Sequence, residues 1–218
     1  MNLFSKKDPA ASYPINEDAT LQATKVIYVK SGSEFGLSVF VADVTDKFDG
    51  ELDRLIGSGS ESKLLNEKAK DAALKKPAML EFHRSGRLSS NFTVKDTSNA
   101  VIAELSGPLL SLGRWTLGFV ADSPHSDHDI LVRPAGMMSR ADEFVKDSIP
   151  YYWDILDGRK LCKLYKVMDG KRVEIAHFLG ENARARDGVL LLDGEQLDEV
   201  VACLTCVVML NRSESFRA

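Results

Sequence analysis

Cysteine is scarce in this chain, with three residues in 218. A secreted scaffold held together by disulfides needs a denser and even-numbered set. No apolar run reaches the about 18 residues that a membrane-spanning helix requires. Lys6 and Lys7 are followed by no apolar stretch of the kind a secretory signal carries. Positive charge is also in short supply: 28 Lys and Arg stand against 32 Asp and Glu, a formal net charge of -4. A broad basic surface for DNA or RNA is not expected, while a local basic patch stays open. These absences make a cytoplasmic, reducing location the expectation.

What is present suits a globular chain, with 44% hydrophobic and 28% charged residues. The length fits one domain. Residues 1–24 are polar, hold Pro9 and Pro14 and lack periodicity, so they read as a flexible N-terminal arm. Residues 213–218 read as a tail, which leaves 25–212 as the domain.

Most of that domain reads as short strands. They include Leu37–Ala42, Met79–His83, Phe92–Asp96, Val101–Leu105, Trp115–Val120, Ile130–Arg133 and Tyr151–Leu156. Their spacing argues for an antiparallel sandwich or barrel. The clearest hairpin joins Leu161–Met168 to Lys171–Leu179 through Asp169-Gly170, a pair that tolerates the positive φ of a type I′ turn. Alternation after the turn places Val173, Ile175 and His177 on one face and Arg172, Glu174 and Ala176 on the other. The face taken by Lys163 stays open.

Two helices interrupt the strands. Residues 62–75 are rich in Lys, Glu, Leu and Ala and stop before Pro77, which predicts a mostly polar surface helix. Before it, Asp43, Asp46, Asp49, Glu51, Asp53 and Glu61 outnumber Lys47 and Arg54. Residues 43–76 therefore read as an acidic, solvated insertion with a surface helix. The second helix decides the architecture. Residues 200–210 are nearly all apolar, Asp193 can cap with Gln196 three residues on, and Glu195, Asp198 and Glu199 place negative charge in the first turn. A surface helix has an apolar stripe of roughly 100°, whereas this one is apolar all round and must be enclosed. The predicted fold is mainly β, an antiparallel closed β-barrel wrapped around a central hydrophobic C-terminal helix at 194–211. A core strand over the same residues is the alternative.

Three segments carry a family resemblance: Phe144–Trp153, Lys160–Val167 and Glu199–Leu210. In pattern and order they resemble the tubby C-terminal-like superfamily, which holds tubby domains, LURP-one-related proteins and phospholipid scramblases. The chain looks most like uncharacterised tubby-like proteins of filamentous fungi. The likeness is strongest from about residue 137 onward and weak before residue 80. It implies contact with lipid more than chemistry, since tubby domains bind phosphoinositide headgroups through a basic patch on the barrel wall. It carries no catalytic signature.

The candidate site for such a ligand is Arg159, Lys160, Lys163, Lys166, Lys171 and Arg172. A multiply anionic headgroup needs converging cations, Arg for forked contacts and Lys for point charge. Within 151–186 these six, with Arg184 and Arg186, outnumber Asp154, Asp157, Asp169, Glu174 and Glu181. An ordinary solvated exterior is the competing reading, because interspersed acids and one-residue offsets scatter the cations over both faces. A weaker signal is the stretch 122–129, where His125, His128 and Asp129 offer metal-ligand types at loose spacing; a polar loop explains them as well, and no bound metal or cofactor is expected. Cys203 and Cys206 form Cys-x-x-Cys inside an apolar helix, where packing outweighs redox chemistry. Gly57–Lys63 lacks the ending of a phosphate loop, and Gly-x-Ser-x-Gly is absent.

The preferred reading is a non-enzymatic module that binds anionic phospholipid or phosphoinositide headgroups, cytoplasmic with peripheral attachment to membranes, without a transmembrane segment and without nucleic acid. A protein-interaction or scaffold module using residues 43–75 is the first alternative. An enzyme with an unrecognised site near His125 and His128 is the second.

Overall fold

The computed structural model describes residues 12–31, 38–52, 62–86, 89–108, 113–136, 141–157, 160–181 and 187–212. Twelve strands run in order: β1 (Lys25–Ser31), β2 (Ser38–Asp43), β3 (Leu80–Arg84), β4 (Phe92–Asp96), β5 (Val101–Ser106), β6 (Trp115–Phe119), β7 (Ile130–Pro134), β8 (Ala141–Lys146), β9 (Ile149–Ile155), β10 (Leu161–Met168), β11 (Lys171–Gly180) and β12 (Gly188–Leu192). Helix α1 (Ser62–Ala73) lies between β2 and β3, and helix α2 (Glu199–Arg212) follows β12. Each strand pairs antiparallel with its sequence neighbour, and β1 pairs with β12, from Lys25↔Leu192 to Val29↔Gly188. The sheet is a closed up-and-down barrel without an edge.

Helix α2 fills the lumen. Residues 200–210 are all buried, and they share one core with inward side chains from every strand, among them Ile27, Phe82, Phe92, Leu117, Ile130 and Leu190. Burying one Val or Leu side chain is worth about 1.5–3 kcal/mol, so the helix supplies much of the core. Its one buried hydroxyl, on Thr205, accepts from Trp153 Nε1 at 3.2 Å and donates to the Ala202 carbonyl at 3.1 Å. The predicted closed barrel around a hydrophobic C-terminal helix is the observed fold.

The start of that helix differs from the expectation. Asp193 caps a turn, with Oδ1 accepting from Glu195 N at 3.0 Å. The helix cap is Asp198, whose Oδ1 accepts from Val201 N at 3.0 Å. Five residues expected to be helical instead cross the barrel mouth.

A second core lies outside the wall. Strands β1 and β12 bury their outward Val26, Tyr28, Val189 and Leu191 under α1, Phe48, Leu21 and Ala23. Helix α1 makes this contact with Leu65 and small residues, Ala69, Ala72 and Ala73, and Asn66 Nδ2 donates to the Leu179 carbonyl at 3.2 Å. The insertion is thus a packed cover over part of the wall, although residues 53–61 lie outside the described residues. Of the expected arm, residues 12–24 are laid along the barrel, with Leu21 and Ala23 buried. The tail at 213–218 lies outside the described residues.

The Asp169-Gly170 hairpin forms as the sequence predicts, with φ of 51° and 73°. The alternation beyond it does not. Leu164 pairs with Ala176 and Tyr165 with Glu174, so Ile175 is an extra residue in β11. This β-bulge keeps Ile175 and Ala176 both in the inner core and turns His177 outward beside Lys163 and Glu174.

Candidate functional site

Strands β10 and β11 carry Lys163, Lys166, Lys171 and Arg172 of the cations that the sequence singled out, and the pleat sorts them. Inward Cys162 and Leu164 alternate with outward Lys163. Lys163 Nζ lies 2.6 Å from Glu174 Oε2, and Glu174 Oε1 lies 2.7 Å from His177 Nδ1. Glu174 bridges the two because the bulge brings residues 174 and 177 to one side. Burial, together with the Lys163 charge, pushes the His177 pKa down to about 4. The neutral ring donates Nδ1–H to a carboxylate already paired with Lys163.

Arg172 is more enclosed than Lys163, its side chain 12% exposed against 26%. One guanidinium nitrogen donates to Asp154 Oδ2 at 3.0 Å, and Nε donates to the Tyr13 carbonyl at 3.0 Å. The group lies over the Tyr165 ring, 5.3 Å from its centroid. Burial, with the charges of Glu174 and Asp154, pushes the Tyr165 phenol up to about 12. Lys166 instead turns to the barrel mouth, where its Nζ donates to Gln196 Oε1 at 3.1 Å and to the Gln196 carbonyl at 3.3 Å.

Lys171 is exposed at the β10–β11 turn. Lys160 is exposed at the opposite rim, with Asp157 4.0 Å away. An eight-residue strand separates the two, about 25 Å of chain. Arg159, Arg184 and Arg186 lie outside the described residues. The structure therefore puts Lys163 and Arg172 on the outer face of one hairpin with Lys171 exposed at its turn, turns Lys166 to the barrel mouth and sets Lys160 apart.

The histidine loop between β6 and β7 also divides. His125 Nδ1 lies 3.1 Å from Asp198 Oδ2, so His125 braces the cap of α2. Lys25 grips the same mouth from β1, 2.8 Å from Glu199 Oε2 and 3.3 Å from Asp43 Oδ2. The bond to Glu199 raises the Lys25 pKa above its ordinary value. Together with Lys166, three separate points of the rim hold the beginning of α2.

His128 stays at the surface with Asp127, 2.7 Å away. Asp147, from the β8–β9 turn, joins them, and one ligand atom from each residue falls within 4.8 Å of the others. This is the metal-competent set among the described residues, but Lys146 Nζ already lies 2.5 Å from Asp147 Oδ2. Asp147 was not legible as a partner, since it is 19 residues from His128 in sequence. Asp129 is exposed nearby and belongs to no such set. Cys162, Cys203 and Cys206 are buried free thiols, and burial drives Cys203 and Cys206 well above the ordinary thiol pKa. Thiolate chemistry is suppressed there.

Among the described residues, no helix is long and apolar enough to cross a membrane. No family model matches the chain, and no curated protein matches it. The chain is similar to an X-ray structure of a protein from Arabidopsis thaliana, at 9% identity and a TM-score of 0.48, over 90% of this chain and 96% of that one.

Proposed function

We propose that the chain is a tubby-like, non-enzymatic binding module that takes anionic phospholipid or phosphoinositide headgroups on its outer wall. The observation that carries this reading is the filled lumen: α2 occupies the interior, so recognition is left to the wall and rims. A barrel closed around a hydrophobic C-terminal helix is also the arrangement that the family resemblance implies. The headgroup contacts would come from the outer face and turn of the β10–β11 hairpin, where Lys163, Lys171 and Arg172 are accompanied by Asp154, Asp169 and Glu174, whereas Lys166 stays turned to the barrel mouth. Lys160, at the far rim, would meet a different headgroup.

With three cations against three acids, this outer face carries no net charge. Binding should therefore be weak for a single headgroup and sensitive to salt, which screens exposed charge over about 10 Å at 0.1 M. Sedimentation with vesicles tests the reading. Protein should pellet with phosphatidylcholine vesicles containing phosphatidylinositol bisphosphate, lose binding as salt rises, and lose it with Lys171→Glu. Equal recovery with pure phosphatidylcholine vesicles would overturn it.

A further inference from the structure

We infer that the N-terminal arm is a strap over this site, and that the Tyr13 carbonyl stands where a headgroup phosphate oxygen would meet Arg172. The inference rests on the lipid reading and names its regulation.

The strap exists because β12 is short. It pairs with Ala176–Gly180 of β11 and leaves the first half of β11 uncovered on that side. The arm fills the gap with one parallel bridge, Ile15↔Arg172. Asn16 N donates to the Arg172 carbonyl at 2.9 Å, and Arg172 N donates to the Pro14 carbonyl at 2.8 Å. Pro14 has no N–H and cannot extend the ladder.

Attachment is graded along the arm. Leu21 and Ala23 are buried, and Thr24 N donates to the Leu192 carbonyl at 2.9 Å, so this end is fixed. Ahead of a turn, in which Ala19 N donates to the Asn16 carbonyl, no side chain of residues 12–16 is buried, and the arm is held there by hydrogen bonds to Arg172 and by the Tyr13 ring. Ile15 is 44% exposed, and Tyr13 is half-buried against Tyr152 with ring centroids 6.2 Å apart. Residues 12–16 can lift while every barrel ladder stays paired.

Arg172 supplies the reason to lift. Asp154 holds one edge of its guanidinium, whereas Nε meets only a neutral carbonyl. A phosphate oxygen in that place puts a full negative charge opposite the guanidinium, where the carbonyl offers only a dipole, and so makes the stronger bond. Tyr165, under the guanidinium, keeps the fork oriented after the strap leaves.

The test uses the full chain with Tyr13→Ala and Asn16→Pro combined, which removes the ring contact and one bridge bond. Vesicles of phosphatidylcholine with and without phosphatidylinositol bisphosphate are the probes, and near-UV circular dichroism checks that the barrel is intact. The expected result is about fivefold tighter binding to the anionic vesicles, the value of one exchanged bond of this kind. The gain should vanish when Arg172→Lys is added, because Lys keeps the charge and loses the fork, and soluble inositol trisphosphate should displace the protein. Equal affinity of strapped and released proteins overturns the strap and leaves the lipid reading standing. No binding by either overturns both. A gain that survives Arg172→Lys, or that inositol trisphosphate cannot displace, overturns the phosphate contact at Arg172.

Discussion

His177 owes its protonation state to burial. In the unfolded chain it titrates near 6.5, and in the barrel near 4. Between those values the unfolded chain binds more protons than the native one, so stability falls as pH drops. The contribution is fully present above about 6.5, declines through the window and is gone below about 4. At about 1.4 kcal/mol per pH unit, the shift corresponds to about 3 kcal/mol. His177→Gln keeps a donor for Glu174 but cannot titrate. Urea unfolding at pH 6.5 and pH 4.5 should show a steep loss for the parent and a much flatter response for the variant; parallel losses would refute the assignment. Asp43 answers in a lower range. Burial opposes its charge, but bonds from Thr45 and the charge of Lys25 outweigh that and hold it below its ordinary 3.8. This chemistry was hidden in the sequence because strict alternation put His177 with Val173 and Ile175. The bulge at Ile175 reverses the later face, and no glycine marks it. The cations failed to gather for a related reason: the window 151–186 covers β9, β10 and β11 and both rims, so its net charge is not the charge of any one surface.

At the scale of elements, the two helices contrast. Helix α2 was legible because its apolar residues run all round, which leaves enclosure as the solution. Helix α1 looked polar because its buried stripe is made largely of alanine, which weighs little in a composition yet lets the helix approach the wall closely. Strands β1 and β12 went unrecognised because both of their faces are buried, so Val26–Val29 and Val189–Leu192 show no alternation. Strand β8 was missed as well; its charged sequence, Ala141–Lys146, buries Asp142. The cap of α2 gives a direct test of the corrected boundary. Asp198→Ala removes the acceptor for Val201 N and the partner of His125, and should cost about 1–2 kcal/mol. Asp193→Ala disturbs only an exposed turn and should cost about 0.5 kcal/mol or less. Urea midpoints compared at constant slope report both; the reverse order would return the helix start to Asp193.

For the whole molecule, closure ties the ends of the chain together. Strand β1 completes the wall only by pairing with β12, and α2 packs the interior only once the wall exists. Such non-local contacts make folding slow and leave little to fold alone. They also deny α2 a separate exit: Lys25, His125 and Lys166 hold its beginning from three parts of the rim. Cys203 and Cys206 on α2 and Cys162 on β10 sample both partners of this packing, and all three are buried. In native buffer with an aromatic disulfide reagent, all three thiols should therefore react with one rate constant, and that constant should rise with urea along the slope of global unfolding. If Cys203 and Cys206 react ahead of Cys162, the helix leaves a barrel that persists without it, and the single cooperative core argued from the closed wall is wrong.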